Sequence, residues 1–95
     1  MRIEWVGTSL SDLRQIRYYL RTRNPSATEK IFHAVSRSAE QLLSFPELGR
    51  ALEASDIRLL QVPGLPYILP YRIRIDHIEI IAVFDGRQER PVGWY

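Results

Sequence analysis

The chain contains no cysteine and only two histidines among its 95 residues. The absence of cysteine excludes disulfide bonds, thiolate metal sites and cysteine nucleophiles, and it fits a protein of a reducing cytosol. The two histidines fall in different predicted elements, His33 in a helix and His77 in a hairpin turn. Because a metal site needs several ligands at compatible spacing, the sequence predicts no metal and no other cofactor.

A long hydrophobic run and a glycine-rich loop are also missing. The longest uncharged stretch, residues 59–71, contains three prolines and a glycine and is shorter than the ~20 apolar residues that span a bilayer. The five glycines are scattered, which excludes a phosphate-binding loop of the usual kind. Residues 1–6 alternate like a strand and lack the apolar run of a signal peptide. We therefore expect neither a membrane segment nor a nucleotide site.

The composition is ordinary for a globular protein, with 45% hydrophobic and 25% charged residues. A chain of this length predicts one small domain, residues 1–95. The net charge is only +2, and Lys30 is the single lysine among 13 basic residues. Arginine suits planar contacts with carboxylate or phosphate, so the positions of the arginines decide whether the chain has an anion-binding surface.

The N-terminal half predicts a strand and two helices. Residues 2–6 alternate with the period of a strand. Ser9 and Asp12 resemble a capping box ahead of an amphipathic helix of about four turns. An Asn-Pro pair at 24–25 predicts the start of a second helix, and a Phe-Pro pair at 45–46 predicts its end. The short connection between the helices predicts an antiparallel hairpin.

The C-terminal half predicts three strands. Residues 47–55 show no clear periodicity and are expected to form a loop, 57–62 a strand, and 67–87 a hairpin that turns at 76–77. The second arm, 78–84, is apolar on both faces, which is typical of a central strand. The predicted fold is therefore a two-layer α+β domain, β-α-α-β-β-β, with the helical hairpin packed on one face of a small antiparallel sheet.

The first arm of this hairpin has two distinct faces, because successive side chains of a strand point to opposite sides. Four residues are expected on the core side: Leu69, Tyr71, Ile73 and Ile75. Arg72 and Arg74 then lie together on the outer side. Pro70 lacks a backbone donor, so we expect either a bulge at this position or an N–H direction that faces solvent.

The arginines and the tail aromatics are the candidate binding residues. Two interpretations fit them, an anion-binding surface for nucleic acid or an acidic partner and a solvated outer face with no binding role. No serine lies in a nucleophile elbow, and no catalytic set is predicted. The candidates are Arg58, Arg72, Arg74, Arg87, Arg90, Trp94 and Tyr95.

Several short segments together resemble the ParE branch of the RelE/ParE toxins of bacterial type II toxin–antitoxin systems. Residues 3–5, the helix break at 24–25 and the strand end at 86–87 belong to this pattern. The more specific pair is the segment Phe-Pro-Glu-Leu-Gly-Arg at 45–50 together with Tyr-Arg at 71–72. The resemblance covers nearly the whole chain.

This resemblance implies a cytoplasmic toxin that a co-expressed, ParD-like antitoxin neutralises by folding over its helices and sheet. The pair would bind its own operator, so the toxin would meet operator DNA only through the antitoxin. ParE-type toxins are held to poison DNA gyrase. RelE-type toxins cleave messenger RNA on the ribosome with basic residues on the sheet and a tail tyrosine.

Comparison with the ribonuclease branch at the level of residues favours gyrase. The sheet positions where that branch carries lysine or arginine correspond here to Leu59, Gln61 and Ile68, and its tail arginine falls near Gln88. Tyr95 could replace the tail tyrosine, but it would lack catalytic partners. The resemblance therefore favours a non-catalytic gyrase inhibitor. A ribosome-dependent endoribonuclease, or an inactive member that only binds its antitoxin, remains as an alternative.

Overall fold

A computed structural model describes residues 1–87 of the chain, so the candidate residues Arg90, Trp94 and Tyr95 lie outside the described part. In this described part, two helices and six strands follow one another: β1 Arg2–Trp5, α1 Ser9–Arg23, α2 Pro25–Gln41, β2 Arg50–Ala51, β3 Ile57–Gln61, β4 Tyr67–Ile73, β5 His77–Ile80 and β6 Phe84–Asp85. Within these 87 residues, no helix is both long and apolar enough to cross a membrane.

The strands form one sheet in the order β1-β5-β4-β3-β2, and β6 pairs with β4 beyond the end of β5. The predicted α+β fold is confirmed, and β5 is central as expected, between β1 and β4. The sheet is not wholly antiparallel, because β1 runs parallel to β5. The predicted loop 47–55 contains the two-residue strand β2, which is too short to show a period in the sequence.

Both helices pack on one face of the sheet and enclose the main core. Tyr71, Leu69 and Ile80 are fully buried there, against Val35 and Leu42 from α2 and the residues that follow it. Burial of such side chains is the dominant stabilising term in a domain of this size.

Two residues expected in the core lie outside it. The side chain of Ile73 is 38% exposed and that of Ile75 is completely exposed. The alternating pattern continues beyond the end of β4, but the chain turns back at 74–76, and the Arg74 N–H donates to the His77 carbonyl across the turn. The predicted turn at 76–77 therefore lies one residue too far along the chain, and His77 is the first residue of β5.

The observed ends of the two helices differ in part from the predicted ends. α2 begins at Pro25 as predicted, but it ends at Gln41, because residues 42–44 donate to carbonyls three residues earlier in a tighter turn. The predicted capping box on Ser9 is wrong. Thr8 precedes α1, and its Oγ1 donates to Asp12 Oδ2 over 2.9 Å, while Ser9 is fully buried.

Of the two alternatives expected at Pro70, a bulge or an N–H direction that faces solvent, the strand register shows a bulge. Tyr71 pairs with Ile80 and Ile68 pairs with Phe84, so the three residues 81–83 face two residues of β4. The Pro70 carbonyl accepts the Ile81 N–H over 2.9 Å, but proline offers no donor in return. The ladder between β4 and β5 is therefore interrupted here and resumes as β6.

Candidate interaction surfaces

The side of the sheet opposite the helices, which we call the open face, carries charges from three strands. Strand register places Arg72 beside Glu79, Glu79 beside Glu4, and His77 beside Arg2. These residues alternate with the core residues of β1, β4 and β5, so they share one surface.

The two arginines that the sequence predicted on this face are both paired with carboxylates. Glu79 Oε1 lies 3.5 Å from Arg72 Nε and 3.3 Å from Arg74 Nε. Arg74 Nη1 also lies 3.5 Å from Asp56 Oδ2. Sequence reasoning missed Glu79, although a hairpin turning at 74–76 would have placed it opposite Arg72.

His77 lies among carboxylates on the same face. Its Nδ1 is 2.7 Å from Asp76 Oδ1, and its Nε2 is 3.1 Å from Glu79 Oε2 and 3.4 Å from Glu4 Oε2. Hydrogen bonds with Asp76 and then Glu79 raise the pKa of His77. The same contact with His77 lowers the pKa of Glu79 and that of Asp76.

Among the described residues, the open face is therefore not a cationic surface. Its ion pairs join three arginines to four carboxylates: Arg2, Arg72, Arg74, Glu4, Asp56, Asp76 and Glu79. The positive and negative charges of these groups nearly cancel, whether His77 is neutral or charged. This arrangement generates no net electrostatic field that would attract a polyanion.

Arg58 lies on the opposite side of the sheet from Arg72, because it pairs with Tyr71 across β3 and β4. Its Nε donates to the Gly49 carbonyl over 2.9 Å, and its Nη2 donates to the Glu47 carbonyl over 3.2 Å. The side chain therefore holds the segment between α2 and β2 against the sheet.

The Tyr71 side chain, on the same face of the sheet as Arg58, also holds this segment in place. Its buried hydroxyl donates to the Pro46 carbonyl over 2.6 Å and accepts the Gly49 N–H over 2.8 Å. A Cβ on Gly49 would lie 2.5 Å from the Tyr71 ring, so only glycine fits. These contacts join the two segments, 45–50 and 71–72, whose combination carried the family resemblance.

Arg87 lies near the other end of β4, away from Arg72 and Arg74. Its Nε donates to Asp85 Oδ1 over 3.0 Å, and its Nη2 donates to Asp85 Oδ2 over 2.6 Å. This contact lowers the pKa of Asp85. The described candidate arginines thus occupy three separate places and do not form one site.

The edge of β3 offers a different kind of surface. β2 covers β3 only at Arg58 and Leu59, so Gln61 has no strand neighbour on that side. A groove opens there, which we call the edge groove, and it is lined by Ser38, Gln41, Leu48, Arg50, Leu59, Leu60, Gln61, Pro63 and Ile68. An uncovered strand edge can accept another extended chain.

The edge groove continues into an exposed apolar area through Leu48, which also lines a shallow pocket with residues 44–47 and Ile73. We call this area the terminal patch. Phe45 is 65% exposed there and Leu48 is 51% exposed. Contiguous apolar surface on a small protein commonly marks an interaction site.

These surfaces define a small α+β protein suited to contact with a protein partner. The chain matches the family described as the ParE toxin of type II toxin–antitoxin systems, parDE, over residues 3–90. It therefore belongs to the ParE toxin family and is the toxin of such a system. The family context supports a cognate antitoxin as its partner.

Curated relatives and a solved structure agree with this assignment. The chain is 31% identical to putative toxin Y4kP of Sinorhizobium fredii over 95% of its own length and 93% of the relative's. It is 28% identical to toxin RelE2 of Caulobacter vibrioides over 86% and 91% of the two chains. The chromosomal ParDE system from P. aeruginosa shares the fold, with a TM-score of 0.78, 20% identity and coverage of 90% and 95%.

Proposed function

We propose that this toxin acts by binding DNA gyrase and that it does not cut RNA. The observation that carries the proposal is the pairing of Arg72 and Arg74 with Glu79 on the open face. A nuclease that lacks a metal must stabilise the charge that develops on a phosphate, and it does so with cations aimed at that phosphate. Here, the arginines already face a carboxylate.

The neighbouring positions support the same conclusion. By the resemblance, Leu59 and Ile68 occupy positions at which the ribonuclease branch carries cations. Leu59 is buried against Ile57 and Ile81. Apolar side chains neither transfer protons nor stabilise an anion. A docking role on a protein target is compatible with this mixed apolar and ion-paired surface, and the ParE resemblance supplies gyrase as that target.

The proposal is tested with purified gyrase, relaxed plasmid and the full chain. We expect supercoiling to fall as toxin is added and to recover when the cognate antitoxin is present in excess. Full supercoiling activity at saturating toxin would remove gyrase as the target. Normal growth after induction without antitoxin would instead indicate an inactive member that only binds its antitoxin.

A ribosome-dependent ribonuclease is the second candidate, because two of the relatives in Caulobacter vibrioides carry RelE names. Its test is toe-printing of a translated message in the presence of the chain. Codon-dependent cuts that require the ribosome would establish this activity, and intact messages would exclude it. The two assays together separate the candidates.

We also propose that a ParD-like antitoxin occupies the edge groove and the terminal patch. An extended segment can pair with the uncovered edge of β3 beyond β2 and place its side chains between Leu48 and Ile68. An adjoining amphipathic segment would cover Phe45 and Ile73. Any contact with operator DNA would then come through the antitoxin.

Leu48 lies in both surfaces, so it provides the sharpest test. Leu48→Glu should weaken binding of the antitoxin product of the adjacent gene by about tenfold or more, since buried charge without a partner is costly at an interface. Leu10→Glu is the matched control, because Leu10 on α1 is 48% exposed, similar to Leu48 at 51%. Equal effects of the two variants in calorimetry would contradict this placement, provided that both retain the wild-type circular dichroism.

A further inference from the structure

We propose that Glu4, His77 and Glu79 form a binding site for a divalent cation of the zinc type. The three residues come from the parallel pair of strands β1 and β5, where Glu4 lies directly beside Glu79. His77 precedes Glu79 by two residues, so the strand period places both side chains on the open face. One ligand atom from each residue lies within 4.8 Å of the others.

The distances between the ligand atoms suit a common metal ion. His77 Nε2 lies 3.1 Å from Glu79 Oε2 and 3.4 Å from Glu4 Oε2. Ligands held at 2.0–2.2 Å from zinc in a tetrahedron are about 3.3–3.6 Å apart. A cation can therefore enter between these atoms with small side-chain adjustments.

The surrounding groups orient the ligands and leave the inner atoms facing one another. Arg2 contacts Glu4 through Oε1, and Arg74 contacts Glu79 through Oε1, so each Oε2 remains directed at His77. Asp76 Oδ1 lies 2.7 Å from His77 Nδ1. A carboxylate on the second ring nitrogen is the usual support of a metal-binding histidine, because it fixes the tautomer with Nε2 free.

One imidazole nitrogen and two carboxylate oxygens favour zinc and similar transition metals over magnesium, which prefers oxygen ligands alone. The two histidines lie on different elements, and no metal was therefore predicted from the sequence. The site does not need both, since two glutamates complete the set around His77. A bound ion would join the edge strand β1 to the central strand β5.

The test uses the full chain without a histidine tag, titrated with zinc sulfate in calorimetry and followed by NMR of the histidine rings. We expect one zinc ion per chain, selective change of the His77 signals, and a rise of the melting temperature by roughly 10–20 °C at 100-fold excess over Kd. Magnesium at the same concentration should produce neither change. Cobalt should give visible absorption bands of a protein-bound ion.

Two variants distinguish the site from adventitious binding. His77→Gln and Glu79→Gln should each abolish the zinc-dependent rise in melting temperature, while His33→Gln should keep it, because His33 lies on α2, across the sheet from the open face, and its Nε2 lies 3.2 Å from Arg37. Amide exchange in β1 of the wild-type chain should slow when zinc is added. Absence of a zinc effect on the wild type, or an equal loss in the His33 variant, would overturn the proposal whether or not the His77 variant folds.

Discussion

Asp12 Oδ2 accepts the backbone N–H of Val83 over 2.9 Å, although the two residues are 71 positions apart. The N–H belongs to the three-residue bulge opposite Pro70, where the strand ladder cannot supply an acceptor. The same carboxylate oxygen accepts from Thr8 Oγ1 at the start of α1. One side chain thus joins the first turn of a helix to the interruption of the sheet.

Asp12→Ala should therefore destabilise the fold by about 1.5–3 kcal/mol, because it removes a charged acceptor and leaves a nearly buried N–H without a partner. Urea unfolding monitored by circular dichroism gives the free energy of unfolding. Asp12→Asn keeps an oxygen acceptor and should lose less. Equal losses in the two variants would show that charge, and not the hydrogen bond to Val83, stabilises this contact.

Tyr71→Phe should lower the free energy of unfolding by about 1–3 kcal/mol, because the Gly49 N–H and the Pro46 carbonyl lose their buried partner. The apolar ring remains, so the packing against Leu69 is retained. Tyr18→Phe is a suitable control, since the Tyr18 side chain is 76% exposed and should change stability by less than about 0.5 kcal/mol. A comparable loss in both variants would contradict the role of the Tyr71 hydroxyl.

Stability should also fall at high pH through Tyr71. Burial raises the pKa of this phenol above its ordinary value of 10.0, so the folded chain holds the proton more tightly than the unfolded chain. The contribution is complete below pH 10 and is lost as the pH rises from there through the folded-state pKa. Unfolding free energies measured between pH 8 and 11 should decline more steeply for the wild type than for Tyr71→Phe. Parallel curves would exclude this source, because Tyr67, whose pKa burial also raises, is present in both.

Gly49→Ala should be more damaging than Gly64→Ala. A Cβ at 49 would lie 2.8 Å from the Tyr71 hydroxyl oxygen and 2.9 Å from the Leu59 carbonyl oxygen, whereas nothing lies within 4 Å at 64. Gly64 has a φ of +74°, so alanine there costs about 1–2 kcal/mol from the backbone alone. We expect a loss of about 3 kcal/mol or more at 49, measured by thermal and urea unfolding. A smaller loss at 49 than at 64 would show that the 42–49 segment moves aside at low cost.

Glu79→Gln should remove one of the four carboxylates of the open face, because it frees Arg72 from its partner and leaves Arg74 paired with Asp56. Binding of single-stranded RNA at low salt, measured by fluorescence anisotropy, should strengthen by several-fold and weaken again as salt is added. Glu53→Gln makes the same change of net charge at an exposed loop position and should have little effect. If both variants bind RNA equally, net charge and not the released Arg72 determines the affinity.

The elements that local patterns determine could be predicted from the sequence. Pro25 fixes the start of α2 because it suits the first helical position whatever the rest of the chain does. The strand 57–62 was also located to within one residue. The family segments at 45–50 and 71–72 were recognised in the sequence, but their contact through the Tyr71 hydroxyl became visible in the structure.

The features that depend on long-range pairing could not be predicted in the same way. Ile75 continues the alternation of β4, and the sequence does not mark where pairing ends. The contacts of Glu79 depend on the strand register, which places it beside Arg72 on β4 and beside Glu4 on β1. Glu4 is far from Glu79 in the sequence. A shift of one residue would have moved Glu79 to the other face.

The ladder between β1 and β5 also sets the order of events as the chain is made. Arg2 pairs with His77, so the first strand waits for its neighbour while about 75 residues are added, roughly 4–15 s at 5–20 residues per second. Contacts of such long sequence separation slow folding, because the loop entropy is lost before the contact forms. Completion of the sheet is thus a late step in biosynthesis, and in a ribosome-bound chain stopped before β5 the residues of β1 would have no strand to pair with.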